Sequence, residues 1–212
     1  GAPARYSGAY EVAAQNAIDN LEALLAEDVD WVVSACPTCT TALKHEFARA
    51  LRSTGKTEWL AKAEALAAKV VDFSSLVTKL VDEGSLRIDA RKLPAVTYHD
   101  SCHLKRTLHV SEEPRALLRK AGHEVVEMKE SDTCCGAMLR HNGLASEADA
   151  QRDACVRMRG DRPLVGLASA CIAELRRDSA LRDTLELCAF LDGTEWPEAL
   201  RIRPDRRRVR SG

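Results

Sequence analysis

Short apolar runs that alternate with helical segments constrain the fold of this chain more than any other feature. Helical periodicity covers residues 10–25, and amphipathic segments likewise separate the later apolar runs. Strands joined by crossover helices form a largely parallel sheet that is covered on both faces. The pattern therefore predicts an α/β fold of two small, pseudo-repeated lobes with mainly parallel sheets flanked by helices. The runs expected to be strands are WVVSA (31–35), AVTYHD (95–100), HEVVEM (123–128) and PLVGLASA (163–170).

One local sequence occurs twice. SACPTCTTAL (34–43) and SACIAEL (169–175) each end an apolar run and begin a helix, and each follows an alanine-rich amphipathic segment. Between the two halves, residues 84–93 are mostly polar, which favours a connection there. We expect a first lobe at 1–90, a second at 91–200 and a solvated basic tail, RIRPDRRRVRSG, at 201–212.

Composition excludes several classes of protein. The 212 residues carry a formal net charge of −1 and only 4% aromatic residues, so neither a basic nucleic-acid surface nor a base-stacking platform is indicated. No run approaches the roughly 18 apolar residues that span a bilayer. No signal peptide opens the sequence, so we expect a cytoplasmic, reducing location, with any contact to the inner membrane made through partner proteins.

The cysteines need a reason other than disulfide bonds in such a compartment. Vicinal side chains diverge, so a bridge between Cys134 and Cys135 would be strained. Metal or cluster ligation explains the set better. The eight cysteines are residues 36, 39, 102, 134, 135, 155, 171 and 188.

The cysteine spacing of the second half favours a cluster over zinc. Cys102 is followed after 31 residues by Cys134 and Cys135, and after 35 more by Cys171. Loops at three strand ends can bring these thiols together, because the ends of parallel strands lie near one another. Four thiolates suit an iron–sulfur cluster or zinc. Small zinc modules, however, use local CxxC pairs at shorter separations.

The motifs HDSCHL (99–104), DTCCGAM (132–138) and SACxxxL (169–175) resemble the cysteine-rich CCG domain. That domain occurs in the B-type and D-type subunits of heterodisulfide reductase and in iron–sulfur subunits of anaerobic glycerol-3-phosphate, lactate and glycolate dehydrogenases. The resemblance implies two motif copies per chain, and it covers nearly the whole of this one. The ligand positions that it implies are Cys102, Cys134, Cys135 and Cys171 in the second copy, and Cys36 and Cys39 in the first.

The sequence departs from the family pattern in two places. The opening GAPA resembles the residues that come after a cysteine pair, so we expect an upstream part of the protein, with further ligands, to be missing; this fragment alone need not retain a cluster. The second copy has Glu174 where the family has the last cysteine of CxxC. The full five-cysteine pattern holds a non-cubane cluster pair, whereas four cysteines imply a simpler four-iron cluster. Glu174 is either an oxygen ligand or, as we favour, a solvent-facing residue on a first helical turn.

Other residues near the cysteines have two interpretations. His99 and His103 either donate hydrogen bonds that tune a cluster, or simply end a strand and cap a helix. Gly136 is expected to permit a backbone conformation, or a close approach, that a Cβ would block. Cys155 and Cys188 fall on apolar faces and are expected to be small buried side chains.

Three functional hypotheses remain. The first is an iron–sulfur electron-transfer subunit that relays electrons from a flavin-containing dehydrogenase subunit to a quinone, a membrane subunit or a disulfide. The second is a thiol–disulfide oxidoreductase that uses CPTC, since a helix N-terminus lowers the pKa of a thiol such as Cys36. The third is a zinc-stabilised structural or docking module.

Overall fold

A computed structural model of the chain describes residues 1–88, 92–128 and 133–190. The expected basic tail at 201–212 lies outside these residues. So do the expected lobe boundary at 90/91 and the end of the second lobe at 191–200.

The first half of the chain is mostly helical. Its two short strands are parallel neighbours, with Val32 opposite Val70. The helix that begins at Pro37 runs without a break to Ser53, because a π-helical turn at Ala42–Glu46 joins its two α-helical parts. In chain order the elements are α1 (Ala2–Tyr6), α2 (Tyr10–Leu25), β1 (Val32–Ser34), α3 (Pro37–Thr41), α4 (Phe47–Ser53), a 3-10 turn (Thr57–Trp59), α5 (Leu60–Lys69), β2 (Val70–Asp72) and α6 (Phe73–Asp82).

The second half carries a larger sheet. Its elements are β3 (Val96–His99), a π-helical turn (His103–Thr107), α7 (Glu112–Lys120), β4 (Val125–Val126), α8 (Ala137–His141), α9 (Ala145–Arg159), β5 (Leu164–Gly166), α10 (Ser169–Leu175), a 3-10 turn (Ser179–Leu181), β6 (Leu185–Glu186) and α11 (Leu187–Phe190). The strands lie in the order β4-β3-β5-β6, and every neighbouring pair is parallel. In the described parts of both halves, no helix has both the length and the apolar character needed to cross a membrane.

The core lies around β3. All four residues of this strand are buried, because an inner strand of a parallel sheet is covered on both faces. Tyr98 packs with Leu117 of α7 and Leu187 of α11. Val77 of α6 joins the same core, so the first half contributes to it. The predicted fold class is confirmed: helices flank two parallel sheets.

The internal repeat appears in the structure at an offset of 135 residues. In both halves a short helix, a glycine turn and a long helix lead to a strand and to the SAC sequence beside the next helix. A Cβ built on Gly1 would lie 3.2 Å from the oxygen of Ala13, and one on Gly136 would lie 2.5 Å from that of Ala148. Further pairs at this offset are Gly8 with Gly143, both at a φ of +83°, and Cys36 with Cys171.

The structure differs from the sequence prediction in two segments. The periodicity of TEWLAKAEALAAKV (57–70) predicts a helix that includes Val70, but the chain becomes extended there and forms β2 by pairing with β1. The segment IAELRRDSALRD (172–183) also reads as one helix, but α10 ends at Leu175. Asp178 then accepts the N–H of Ala180 at 2.7 Å and caps a separate 3-10 turn. Both differences depend on specific hydrogen bonds, which periodicity does not report.

Candidate metal centre

Four of the expected ligands lie near the carboxyl ends of parallel strands. Cys102 follows β3 and precedes the π-helical turn at His103–Thr107. Cys134 and Cys135 lie in the segment before α8, and Cys171 lies in the first turn of α10, after β5. Since β3 and β5 pair directly, their ends meet at one edge of the sheet.

The thiols of these cysteines are neighbours that shift one another's pKa values. The thiols of Cys102 and Cys134 interact in this way. The thiol of Cys135 interacts with the sulfurs of both Cys134 and Cys171. The structure thus brings together cysteines from three separate loops.

These interactions give the sulfurs of Cys134 and Cys171 thiolate character. Donation from Cys102 and Cys135 holds the pKa of Cys134 well below its usual value, and the N–H of Gly136, 3.4 Å from the sulfur, acts in the same direction. A hydrogen bond from Cys135 likewise lowers the pKa of Cys171 despite its burial. The two donor thiols have raised pKa values, because sharing their protons favours the neutral form. Metals bind the thiolate form of cysteine, so the lowered pKa values prepare Cys134 and Cys171 to act as metal ligands.

His99 adds an imidazole to this group. The residue is 2% exposed, and its ligand atom lies with the sulfurs of Cys135 and Cys171 in a set whose members are all within 4.8 Å of one another. Burial disfavours the imidazolium, but hydrogen bonds with Cys155 and Cys171 raise the pKa of His99 to about 10. Its Nδ1 is buried and has no hydrogen-bond partner.

Cys155 is a neighbour of the site that the sequence did not indicate. It is fully buried in α9, as expected of a small apolar side chain. Its sulfur also donates to the carbonyl oxygen of Cys134 at 3.7 Å and interacts with His99. No motif signals this role, because α9 carries none of the expected ligands. Cys188, the other cysteine expected to be buried, is only partly so and packs at the edge of the main core.

The CPTC cysteines form a second thiol group beside the first. α3 packs against the π-helical turn that follows Cys102, and Cys36 lies close enough to Cys171 for their charges to interact. A hydrogen bond with Cys39 lowers the pKa of Cys36 to about 6 and raises that of Cys39. Cys39 is exposed. Cys36 is therefore the member of this pair that interacts with the four cysteines of the other group.

Glu174 is buried and neutralised by arginines. It is 6% exposed, so the expectation that it faces solvent is wrong. The Nε of Arg140 donates to both carboxylate oxygens at 2.9 Å, and Arg152 lies 3.4 Å from one of them. Burial of a carboxylate requires such charge partners. At the 135-residue offset, Glu174 corresponds to Cys39.

His103 and Gly136 flank the thiols. The Nδ1 of His103 lies 3.7 Å from the sulfur of Cys102, and its Nε2 lies 3.4 Å from the hydroxyl of Tyr6. Gly136 has a φ of +90°, the kind of backbone conformation expected of a glycine at this position. A Cβ there would also collide with the backbone of Ala148. His103 therefore contacts a thiol directly, whereas Gly136 shapes the loop that carries Cys134 and Cys135.

The residues present fit an iron–sulfur cluster. Cys135, Cys171 and His99 form a soft, buried donor set, and the half-buried Cys102 and Cys134 adjoin it; sulfur donors are the chemistry that such clusters use. The buried Nδ1 of His99 has no hydrogen-bond partner, and binding to a metal would satisfy it.

Comparisons with known proteins agree with this donor set. The sequence profile of the cysteine-rich CCG domain matches residues 1–44 and 96–176. The probable glycolate oxidase iron-sulfur subunit of Bacillus subtilis is 36% identical over 138 residues, which are 65% of this chain and 30% of that protein. Lactate utilization protein A of Lysinibacillus sphaericus is 30% identical over 183 residues, which are 82% of this chain and 76% of that protein.

A further relative belongs to the dihydromethanophenazine:CoB–CoM heterodisulfide reductase of Methanosarcina acetivorans. This D-type subunit is 34% identical over 131 residues, which are 60% of this chain and 29% of its own length. The chain thus spans under a third of two of these relatives and about three quarters of the other. No solved structure gave a significant match. The profile match covers both halves of the motif set described above, and the chain belongs to the cysteine-rich CCG domain family.

Proposed function

We propose that this chain is an electron-transfer component of an oxidoreductase and that Cys102, Cys134, Cys135 and Cys171 hold its iron–sulfur cluster. The observation that carries the proposal is the buried group of Cys135, Cys171 and His99, with Cys134 and Cys102 beside it, at one edge of a parallel sheet. When bound, such a cluster accepts and releases single electrons.

The protein's own residues control the setting of the thiols. Cys135 and Cys171 are buried, so their sulfurs are shielded from water. The N–H of Gly136 donates to the sulfur of Cys134, and such hydrogen bonds stabilise charge on a ligand and tune its potential. Burial and donated hydrogen bonds therefore define the potential at which the site works.

The four cysteines favour a four-iron cluster, with a non-cubane form as the variant that a fifth donor would permit. We further propose that Cys36 and Cys39 ligate a second cluster together with other donors, which the described residues do not supply. Their position beside Cys171 supports electron exchange between the two sites.

The names of the related proteins suggest what kind of partner this chain works with. Names such as glycolate oxidase iron-sulfur subunit and heterodisulfide reductase support a role within a larger oxidoreductase. We propose a flavin-containing dehydrogenase subunit as the electron donor, and a quinone, a membrane subunit or a disulfide as the acceptor, in anaerobic metabolism. Eight free thiols support a cytoplasmic location, with attachment to the inner membrane through partners.

Anaerobic reconstitution with iron and sulfide tests the proposal. We expect about four irons per chain and a low-temperature EPR signal after reduction, both lost in Cys134→Ser/Cys135→Ser. Cys188→Ser is the matched control, because Cys188 is a half-buried thiol outside the site, and it should keep the full iron content. A colourless protein, or equal iron in wild type and double variant, contradicts the proposal. One zinc per chain without redox activity would instead support a structural zinc module.

A second function has one observation in its favour. The pKa of Cys36 is lowered to about 6, and its partner Cys39 is exposed, as a thiol–disulfide exchange pair requires. Disulfide reductase activity that survives metal chelation and is lost in Cys36→Ser would support this alternative. Activity that tracks the iron content would reject it.

A further inference from the structure

We infer that His99, and not Glu174, supplies the fifth donor of the cysteine site. This inference rests on the proposed function and deepens it, because it makes the site a mixed thiolate and imidazole centre.

The place of His99 at the end of β3 puts its imidazole among the thiols. His99 is the last residue of β3 and lies opposite Gly166 of β5 in the parallel ladder. The backbone of β3 is therefore held on both sides, by β4 and by β5. The side chain is enclosed by protein, since the residue is 2% exposed. One of its ring nitrogens and the sulfurs of Cys135 and Cys171 all lie within 4.8 Å of one another.

The unpartnered nitrogen is the second observation. Almost every buried polar atom in a protein has a hydrogen-bond partner, and each exception needs a reason. The Nδ1 of His99 is buried without one. A metal ion bound to Nδ1 would satisfy it, because neutral imidazole nitrogen is a good ligand for iron.

Glu174 is unsuited to the same role. It occupies the position that Cys39 occupies in the first half, so the internal repeat alone would make it the last ligand. Its carboxylate is instead held by Arg140 and Arg152. Binding iron would require the buried carboxylate to give up these two charge partners, which hold it away from the role of a ligand.

A neutral imidazole in place of a thiolate removes one negative charge from the ligand set. Replacement of cysteines by histidines raises the reduction potential of iron–sulfur centres. We therefore expect the potential of this site to fall in His99→Cys and the nitrogen signal to disappear.

Pulsed EPR on the reconstituted, reduced chain tests the inference directly. Protein labelled with ¹⁵N only in histidine should show strong nitrogen hyperfine coupling from a bound imidazole. The coupling should be lost in His99→Ala and retained in His141→Gln, which changes an exposed histidine at the end of α8. The labelled wild type decides the question even if His99→Ala fails to fold. Weak or absent nitrogen coupling, or coupling that survives in His99→Ala, overturns the inference and leaves the cluster proposal intact.

Cobalt binding separates the inference from the proposed function. If no cluster assembles, the metal-free chain is titrated with Co²⁺ and its thiolate-to-metal absorption is followed. Affinity that falls about tenfold or more in His99→Ala, but not in His141→Gln, would support His99 as a metal donor while the electron-transfer proposal fails. Equal affinity in all three proteins, or no binding in any of them, would overturn the inference as well.

Discussion

Gly136 sets how closely the loop with the vicinal cysteines approaches α9. Its φ of +90° belongs to the left-handed region that residues with a Cβ seldom adopt. The backbone of Ala148 fills the space where a Cβ would stand. Gly143, seven residues later, has a similar φ of +83° but nothing within 4 Å of a Cβ position. A substitution at Gly143 therefore introduces backbone strain alone, whereas one at Gly136 introduces strain and a steric collision.

We predict that Gly136→Ala destabilises the chain by about 3 kcal/mol, since strain at positive φ adds to overpacking against Ala148. Gly143→Ala should cost about 1 kcal/mol, from the strain alone. Urea unfolding followed by circular dichroism measures both. Equal losses in the two variants would show that the contact with Ala148 relaxes freely.

The sequence pattern predicts which thiols come together, but it does not predict which side chains surround them. The spacing of Cys102, Cys134 and Cys171 suggests a shared site, because the ends of parallel strands converge whatever lies between them. The partners of Glu174 could not be found in this way. Arg140 and Arg152 belong to α8 and α9, and their approach to α10 depends on how these helices pack. The contact of Cys155 with the carbonyl oxygen of Cys134 depends on the packing of α9 in the same way.

At the scale of elements, a buried arginine fixes the segment between β3 and the π-helical turn. The guanidinium of Arg115, on α7, donates to both carboxylate oxygens of Asp100 at 2.9 and 2.7 Å and to Glu127 at 2.8 and 2.7 Å. Its side chain is 4% exposed and that of Asp100 only 2%. Asp100 lies two residues before Cys102, so α7 holds this ligand loop in place.

We predict that Arg115→Met lowers the free energy of unfolding by about 3 kcal/mol, because Asp100 would lose its bidentate partner while still buried. Arg119→Met is the control, since that side chain is half exposed and its pair with Glu112 lies at the surface. Arg119→Met should lower the free energy of unfolding by at most about 1 kcal/mol. Thermal and urea unfolding of both variants check this, and similar losses would contradict a special role for Arg115.

Element types are more predictable than element ends. Apolar runs located β1, β3, β4 and β5, because their burial needs continuous apolar sequence. β2 has only three residues and follows a strongly periodic helix, so its character depends on pairing with β1. The early end of α10 depends on the Asp178 cap, a single side-chain hydrogen bond.

At the scale of the whole molecule, α6 ties the two halves together. Val77 is 3% exposed in the core that surrounds Tyr98. Thr78 donates to the carbonyl oxygen of Glu113 at 3.2 Å, and Lys120 forms an ion pair with Asp82 at 2.8 Å. Helix α6 thus follows β2 directly in the chain but packs on α7.

We predict that Val77→Ala destabilises both halves together, by about 2 kcal/mol, because the cavity opens in a shared core. Native-state hydrogen exchange should show faster exchange at the amides of β1 and β3 alike. Val12→Ala, at a position 54% exposed on α2, should leave both rates unchanged. Faster exchange confined to one sheet would mean that the halves unfold independently.

The constant offset of 135 residues has an evolutionary consequence. Equal spacing between paired glycines, alanines and cysteines is the trace that a tandem gene duplication leaves when the packing of one ancestral unit is retained. Among the positions at which the two descendants differ is the one where Cys39 stands in the first copy and the arginine-bound Glu174 in the second. One ancestral thiol site has thereby become two, of which the first includes the exposed Cys39 and the second includes the buried Cys135 and Cys171.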